Sequence, residues 1–322
     1  MKRRNFAISC GVLTLLTTKN WAADFLFRQS LKIVVPAAPG GFTDIAARLV
    51  GEKLALRTGN PVVIDNKAGA SGMIGSEAVA RSAPDGGTIV MGNIQTHAAN
   101  SGLFKNMTFD VMKDFSPITR VAMGYNILVV PQSSPVKSLA GLIDLAKKQP
   151  KTISFGTGGS GSSAHLASEM FSQRAGVELL HIPYRSNAPA AQALVAGQIS
   201  MMFDTIPGAI AQIRAGNLRA LAVTSPQRLA TLPEIPTIAE TLAGFEVAVW
   251  GGLYAPAGTP ERIIQAIDKE VQDLLKEPAL IQRFDQLGFN ILPLGPKEFS
   301  DFTKSEIAKW SEVIRLGKIT AT

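Results

Sequence analysis

Short apolar runs rich in Val, Ile and Phe recur at 33–35, 62–64, 88–91, 127–130, 153–155, 201–203 and 218–224. Their length and β-branched content predict strands. Between them the spacing turns helical. Ala46, Leu49, Val50 and Leu54 fall at i, i+3, i+4 and i+8, and Leu166, Ala167, Met170 and Phe171 form two i, i+4 pairs, so each of these helices has one face to bury. This alternation predicts an α/β fold with mostly parallel sheets, in which ligands bind beyond the carboxyl ends of strands. A chain of about 300 residues favours two lobes. Extended runs at 118–130 and 246–255 are the expected crossings between them. Two crossings make the first lobe discontinuous, 24–125 plus 246–322, with the second at 126–245. The returning segment carries a helix opened by Thr259, Pro260 and Glu261 and closed before Pro278, a short strand at 290–292, and a last helix opened by Gly295 and Pro296.

Two of the predicted strands end in the same way. Residues 33–35 run into Pro36-Ala37-Ala38-Pro39-Gly40-Gly41-Phe42-Thr43-Asp44 and a helix; residues 153–155 run into Gly156-Thr157-Gly158-Gly159-Ser160-Gly161-Ser162-Ser163 and another. A glycine-rich turn of this kind leaves the first N–H groups of its helix unpaired, and the helix dipole adds positive potential there. Two such turns, about 120 residues apart, predict two walls facing one anionic ligand. A third glycine-rich turn at 66–75 either lines the same cleft or is a tight connection.

The chain carries a formal charge of +7, which a targeting segment largely accounts for. Lys2, Arg3 and Arg4 form a basic start, residues 6–16 are apolar, and Ala22 and Ala23 offer a cleavage site, so residues 1–23 read as a signal peptide and the mature protein as periplasmic. The apolar stretch is about half the length of a spanning helix. Arg3-Arg4-Asn5-Phe6 fits both a twin-arginine signal and an ordinary basic start. That segment holds four basic and no acidic residues, which leaves the mature chain at +3. Its Cys10 is the only cysteine, so the mature chain has no disulfide, no zinc-cysteine site and no cysteine nucleophile. No Lys/Arg run interleaved with aromatics supports nucleic-acid binding.

Other chemistry is weaker. Gly156 to Gly161 spell G-x-G-x-x-G, but the nearest acidic residue, Glu178, begins the following strand instead of ending it, so no nicotinamide cofactor is expected. Ser160 and His165 suggest a hydrolase, yet the G-x-S-x-G elbow is missing because Ser162 stands where its second glycine belongs. His97, His165 and His181 are dispersed and lack metal-ligand spacing, so no metal is expected, though His165 could face the cleft. Asp44 either stabilises its helix dipole or accepts a hydrogen bond from a ligand. Phe42, protruding from a Gly-Gly turn, favours ligand contact. Asp204, at the end of the run 199–203, faces the cleft or caps the next helix, and Arg185 is the best-placed partner for a carboxylate. Phe42 and Trp250 would suit a flat ligand body.

Pro36 with Pro39-Gly40-Gly41 and Asp44, then Asp65-Asn66-Lys67, Gly69, Gly72 and Gly75, Ala83-Pro84-Asp85-Gly86, Lys113-Asp114-Phe115, the run from Gly158 to His165, His181-Ile182-Pro183-Tyr184, Gly197-Gln198 and Ala255-Pro256-Ala257-Gly258-Thr259-Pro260 resemble, in order, the Bug-type extracytoplasmic solute receptors of tripartite tricarboxylate transporters. The resemblance spans the mature chain. It implies a periplasmic binding protein fold, type II-like, with two α/β lobes joined by two crossovers around a ligand cleft. It also implies a non-enzymatic receptor, acting as a monomer, that delivers a di-/tricarboxylate, amino acid or aromatic acid to membrane transporter subunits; a sensor feeding a membrane-bound kinase is the alternative. Carried over by position, the site comprises Gly40, Gly41, Phe42, Thr43 and Asp44 on one wall and Gly156, Thr157, Gly159, Ser160, Ser162 and Asp204 on the other. Arg185-Ser186-Asn187 departs from the usual Lys-Gly-Ser-like run, and Gly87 replaces a common aromatic.

Overall fold

The computed structural model describes residues 30–321. The signal peptide expected at 1–23 lies outside them. The first unit runs β1 (Leu31–Val35), α1 (Phe42–Thr58), β2 (Val62–Asn66), α2 (Met73–Ala80), β3 (Thr88–Asn93), a π-helical turn at Gln95–Ala99 and the short α3 (Asn100–Leu103). Strand β4 (Phe115–Pro131) leads into α4 (Leu139–Lys148), β5 (Ser154–Thr157), α5 (Ser163–Ala175), β6 (Leu180–Pro183), α6 (Asn187–Val195), β7 (Met201–Thr205), α7 (Ile206–Arg214) and β8 (Leu218–Val223). The chain returns through β9 (Ala248–Pro256), α8 (Glu261–Leu274), α9 (Pro278–Gln286), β10 (Phe289–Asn290) and α10 (Pro296–Gly317).

The strands follow the order β2-β1-β3-β9-β4-β7-β5-β6, with β10 and β8 each on β4. The 17-residue β4 belongs to both halves. Up to Tyr125 it pairs with β9, and from Asn126 onward with β7 and β8. The return passes through Val247, whose N–H donates to the Thr224 carbonyl before Ala248 pairs with Tyr125. Two α/β lobes thus share a pair of antiparallel crossing strands. The outer pairs β1–β2, β1–β3, β5–β6 and β5–β7 are parallel, whereas every pairing of β4 and β9 is antiparallel. The outer strands are parallel as expected, and the sheets are mixed only where β4 and β9 cross, because a chain that leaves a lobe and comes back beside its own path must reverse direction.

The helices form where the periodicity places them. In α8, Ile263, Ile264, Ile267, Val271 and Leu274 are buried on one side. One core joins the lobes: Val34 and Val90 of the first sheet belong to the same buried cluster as Leu128, Phe155 and Phe203 of the second and Trp310 and Ile314 of α10. Helix α10 also reaches across, with Gln173 of α5 donating to the Val313 carbonyl at 2.9 Å. No described helix is long and apolar enough to cross a membrane.

Candidate functional site

Both glycine-rich turns and the third one open on a single cleft of about 1210 Å³. Gly40, Gly41 and Phe42 line one side with Ser71, Gly72 and Phe289; Gly159, Ser160, Ser162, Arg185 and Asp204 line the other with Tyr184 and Asn187. Thr43, Asp44, Gly156, Thr157 and His165 are not part of this lining. They stand behind it and shape it.

The two turns are braced by the same device. The Gly40 N–H donates to Asp44 Oδ2 at 2.9 Å, and the Gly161 N–H donates to His165 Nδ1 at 3.1 Å, each four residues on. Gly40 and Gly161 both have φ in the left-handed region, at +87° and +76°, which glycine adopts without strain and which turns these amides back onto the helix. Asp44, 2% exposed, also accepts from Arg48 Nε at 3.0 Å and Asn66 Nδ2 at 2.9 Å. Burial alone would raise its pKa, but the hydrogen bonds from Arg48, Gly40 and Asn66, with the Arg48 charge, outweigh it and hold the carboxyl below the usual value. Behind it, Thr43 Oγ1 accepts from Asn93 Nδ2 at 3.1 Å.

His165 has a neutral role. Burial and the neighbouring His181 push its pKa down to about 3, and burial takes His181 down to about 4. Their rings stack at 4.2 Å, and His181 Nε2 lies 2.7 Å from Thr157 Oγ1. The other ring nitrogen of His165 faces Glu169 at 3.7 Å. His165 is thus a brace for the loop, its Nδ1 accepting from Gly161 while Nε2 points toward Glu169.

The walls differ in what they offer an anion. In α1 the first helical bond runs from Ile45 N to Gly41 O, so the amides of Phe42, Thr43 and Asp44 precede it. In the second turn Gly159 N donates to Thr157 Oγ1, Ser162 N to Gly159 O and His165 N to the Ser162 hydroxyl, and the first bond of α5 runs from Leu166 N to Ser162 O, so the amides of Ser163 and Ala164 precede it. Both turns thus open a helix with amides that lie outside its first bond, and the second turn adds Ser160 and Ser162 to the lining. Phe42 lines the cleft while its ring packs 4.4 Å from Phe289 and against Gly251. Trp250, expected beside a flat ligand, is fully buried, its indole N–H donating to Glu306 Oε2 at 2.9 Å. The alternating pleat of β9 turns it into the core.

Gln95 and Ser71 bridge the walls. The Gln95 amide donates to the Ser160 carbonyl at 2.8 Å, and the Ser71 hydroxyl reaches the same oxygen at 3.5 Å. Gln95 follows the carboxyl end of β3, the position where a parallel sheet places ligand contacts, and that rule could have found it. This bond closes one lobe on the other. Gln95→Ala, losing about 1 kcal/mol of closure, is expected to weaken ligand affinity about fivefold by calorimetric titration; unchanged affinity would remove Gln95 from the closing machinery.

The family described as tripartite tricarboxylate transporter family receptor, TctC, matches residues 46–318. The chain belongs to that family. The receptor is 33% identical to Protein BugT of Bordetella pertussis over 296 residues, covering 91% of each chain. Among solved structures, R. palustris Rpa4515 with adipate has a TM-score of 0.85 at 34% identity, covering 91% of the receptor and 98% of that chain. MatC (Rpa3494) from Rhodopseudomonas palustris with bound malate has a TM-score of 0.80 at 30% identity, covering 89% and 98% respectively. The receptor is a periplasmic solute-binding protein with the two-lobe fold of these relatives.

Proposed function

We propose that the receptor captures a small carboxylate between lobe one (24–125 plus 246–322) and lobe two (126–245) and delivers it, unchanged, to membrane subunits of a tripartite tricarboxylate-type transporter. It acts as a monomer after removal of the segment ending near Ala22 and Ala23. The observation that carries this reading is the convergence of the α1 amides, Ser160, Ser162 and Arg185 on one cleft closed by Gln95. Among the described residues, Arg185 is the one basic side chain lining that cleft; it is exposed and forms no ion pair there. Each charge-assisted bond to a carboxylate contributes about 1.5 to 3 kcal/mol, so a few suffice for micromolar affinity. The adipate and malate bound by the two relatives are consistent with this chemistry.

A thermal-melt screen of mono-, di- and tricarboxylates, amino acids and aromatic acids tests it. At 100 times the dissociation constant a ligand adds about 2.7 kcal/mol, which is expected to raise Tm by several degrees. A screen without any shift would overturn the carboxylate reading. Recovery of a bound acid chemically altered after long incubation would replace the receptor with an enzyme.

A further inference from the structure

We infer that Asp204 is a specificity group: the ligand carries a hydroxyl or ammonium hydrogen-bond donor on the same short body as its carboxylates, and that donor seats against Asp204. The inference rests on the carboxylate reading above. Among the described residues, the charged side chains lining the cleft are Arg185 and Asp204, and they differ in every respect that governs recognition. Arg185 stands in water, ready for an anion. Asp204 is 3% exposed at the end of β7.

Its Oδ1 is occupied, accepting from Thr205 N at 2.8 Å and Asn187 Nδ2 at 3.1 Å. No ion pair neutralises it among the described residues, and the elements around it, β4, β5, α6 and α7, bring it the Asn187 amide and no charge. Its Oδ2 lies beside Gly208 in the first turn of α7, where a Cβ would come within 2.7 Å, so glycine at that position leaves this oxygen room. Burial pushes the carboxyl up to about 6, which leaves it mostly an ionised acceptor at neutral pH. When the cleft closes, a ligand with no donor strips water from Oδ2 and returns nothing, whereas a hydroxyl or ammonium restores the bond. A site built to hold such a donor rejects the analogue lacking it, because its own buried group is left unpaired.

Matched acids decide the matter: succinate, malate and aspartate, with their five- and six-carbon homologues, titrated calorimetrically into the wild type and Asp204→Asn. Asparagine keeps an acceptor for Thr205 N and replaces Oδ2 by a donor. Within the chain length that binds, the hydroxy or amino acid is expected to bind at least about ten times tighter than the unsubstituted acid. In Asp204→Asn that preference is expected to vanish while the unsubstituted acid binds as well or better. Equal affinity across a wild-type set, or an equal loss for all three acids in the variant, would overturn the role of Asp204. If none of these acids bound the wild type, the short donor-bearing diacid assigned to Asp204 would fall, whereas the carboxylate reading falls only if the wider melt screen also shows no shift.

Discussion

Lowering the pH from 7 to 4.5 is expected to destabilise the fold steeply, by about 2 kcal/mol per pH unit between pH 6 and 5. Burial pushes His97 down to about 3; burial and His181 do the same to His165; His181 falls to about 4. A histidine held neutral in the fold takes up its proton only after unfolding. Below the ordinary value of about 6.5 the unfolded chain therefore binds more protons, and stability falls with pH. His97 and His165 contribute most; half-buried His181 adds less because water screens it. Asp204 opposes them. Its pKa is raised, to about 6, so its contribution is complete below the ordinary carboxylate value and is lost as pH rises through about 6. Asp44, held below its ordinary value, adds nothing until the pH falls below about 4. Urea unfolding followed by circular dichroism at pH 7, 6, 5 and 4.5 measures the slope. Asp204→Asn, which removes the opposing group, is expected to steepen it. A stability unchanged from pH 7 to 5 would mean that the buried imidazoles are not held neutral.

His97 illustrates what the sequence could and could not say. Its dispersion from the other histidines argued against a metal site, but nothing local announced its stack on Tyr254 at 4.1 Å, a contact between a turn after β3 and a strand of the returning segment. The strand-turn-helix units were legible because β-branched runs followed by glycines state their conformation locally. The cleft was legible for the same reason, since strand ends fix where the turns point. Partnership was not. Asp44 and His165 sit at the i+4 position from their glycines, yet an acid in a first helical turn reads equally well as a partner for the helix dipole. Likewise, the run before Val130 reads as extended without revealing that β4 changes partners at Asn126. Gln95 meets Ser160 across 65 residues, and Trp250 meets Glu306 across 56, distances over which a periodic pattern carries no information.

Glu306→Ala is expected to cost about 3 to 6 kcal/mol. Glu306, 6% exposed on α10, accepts the indole N–H of Trp250 from β9 and that of Trp310 from its own helix, both on Oε2 at 2.9 Å. Both tryptophans are fully buried. Alanine would orphan two buried N–H groups, and each bond to a charged acceptor is worth about 1.5 to 3 kcal/mol. The lost carboxylate also frees Lys309, whose ammonium lies 3.4 Å from Oε1, but that partly exposed pair adds little. Glutamine keeps a carbonyl oxygen with two lone pairs and is expected to recover about half of the loss. Because α10 packs on both lobes and β9 is a crossing strand, loosening this joint should alter ligand closure as well as stability. Tryptophan fluorescence reports it directly: in Glu306→Ala the emission of the native protein shifts as the indoles lose their partner, and the unfolding midpoint falls in parallel. A variant with unchanged midpoint would show that relaxation of α10 or entering water satisfies both indoles, and that the carboxylate fixes their orientation without holding the lobes together.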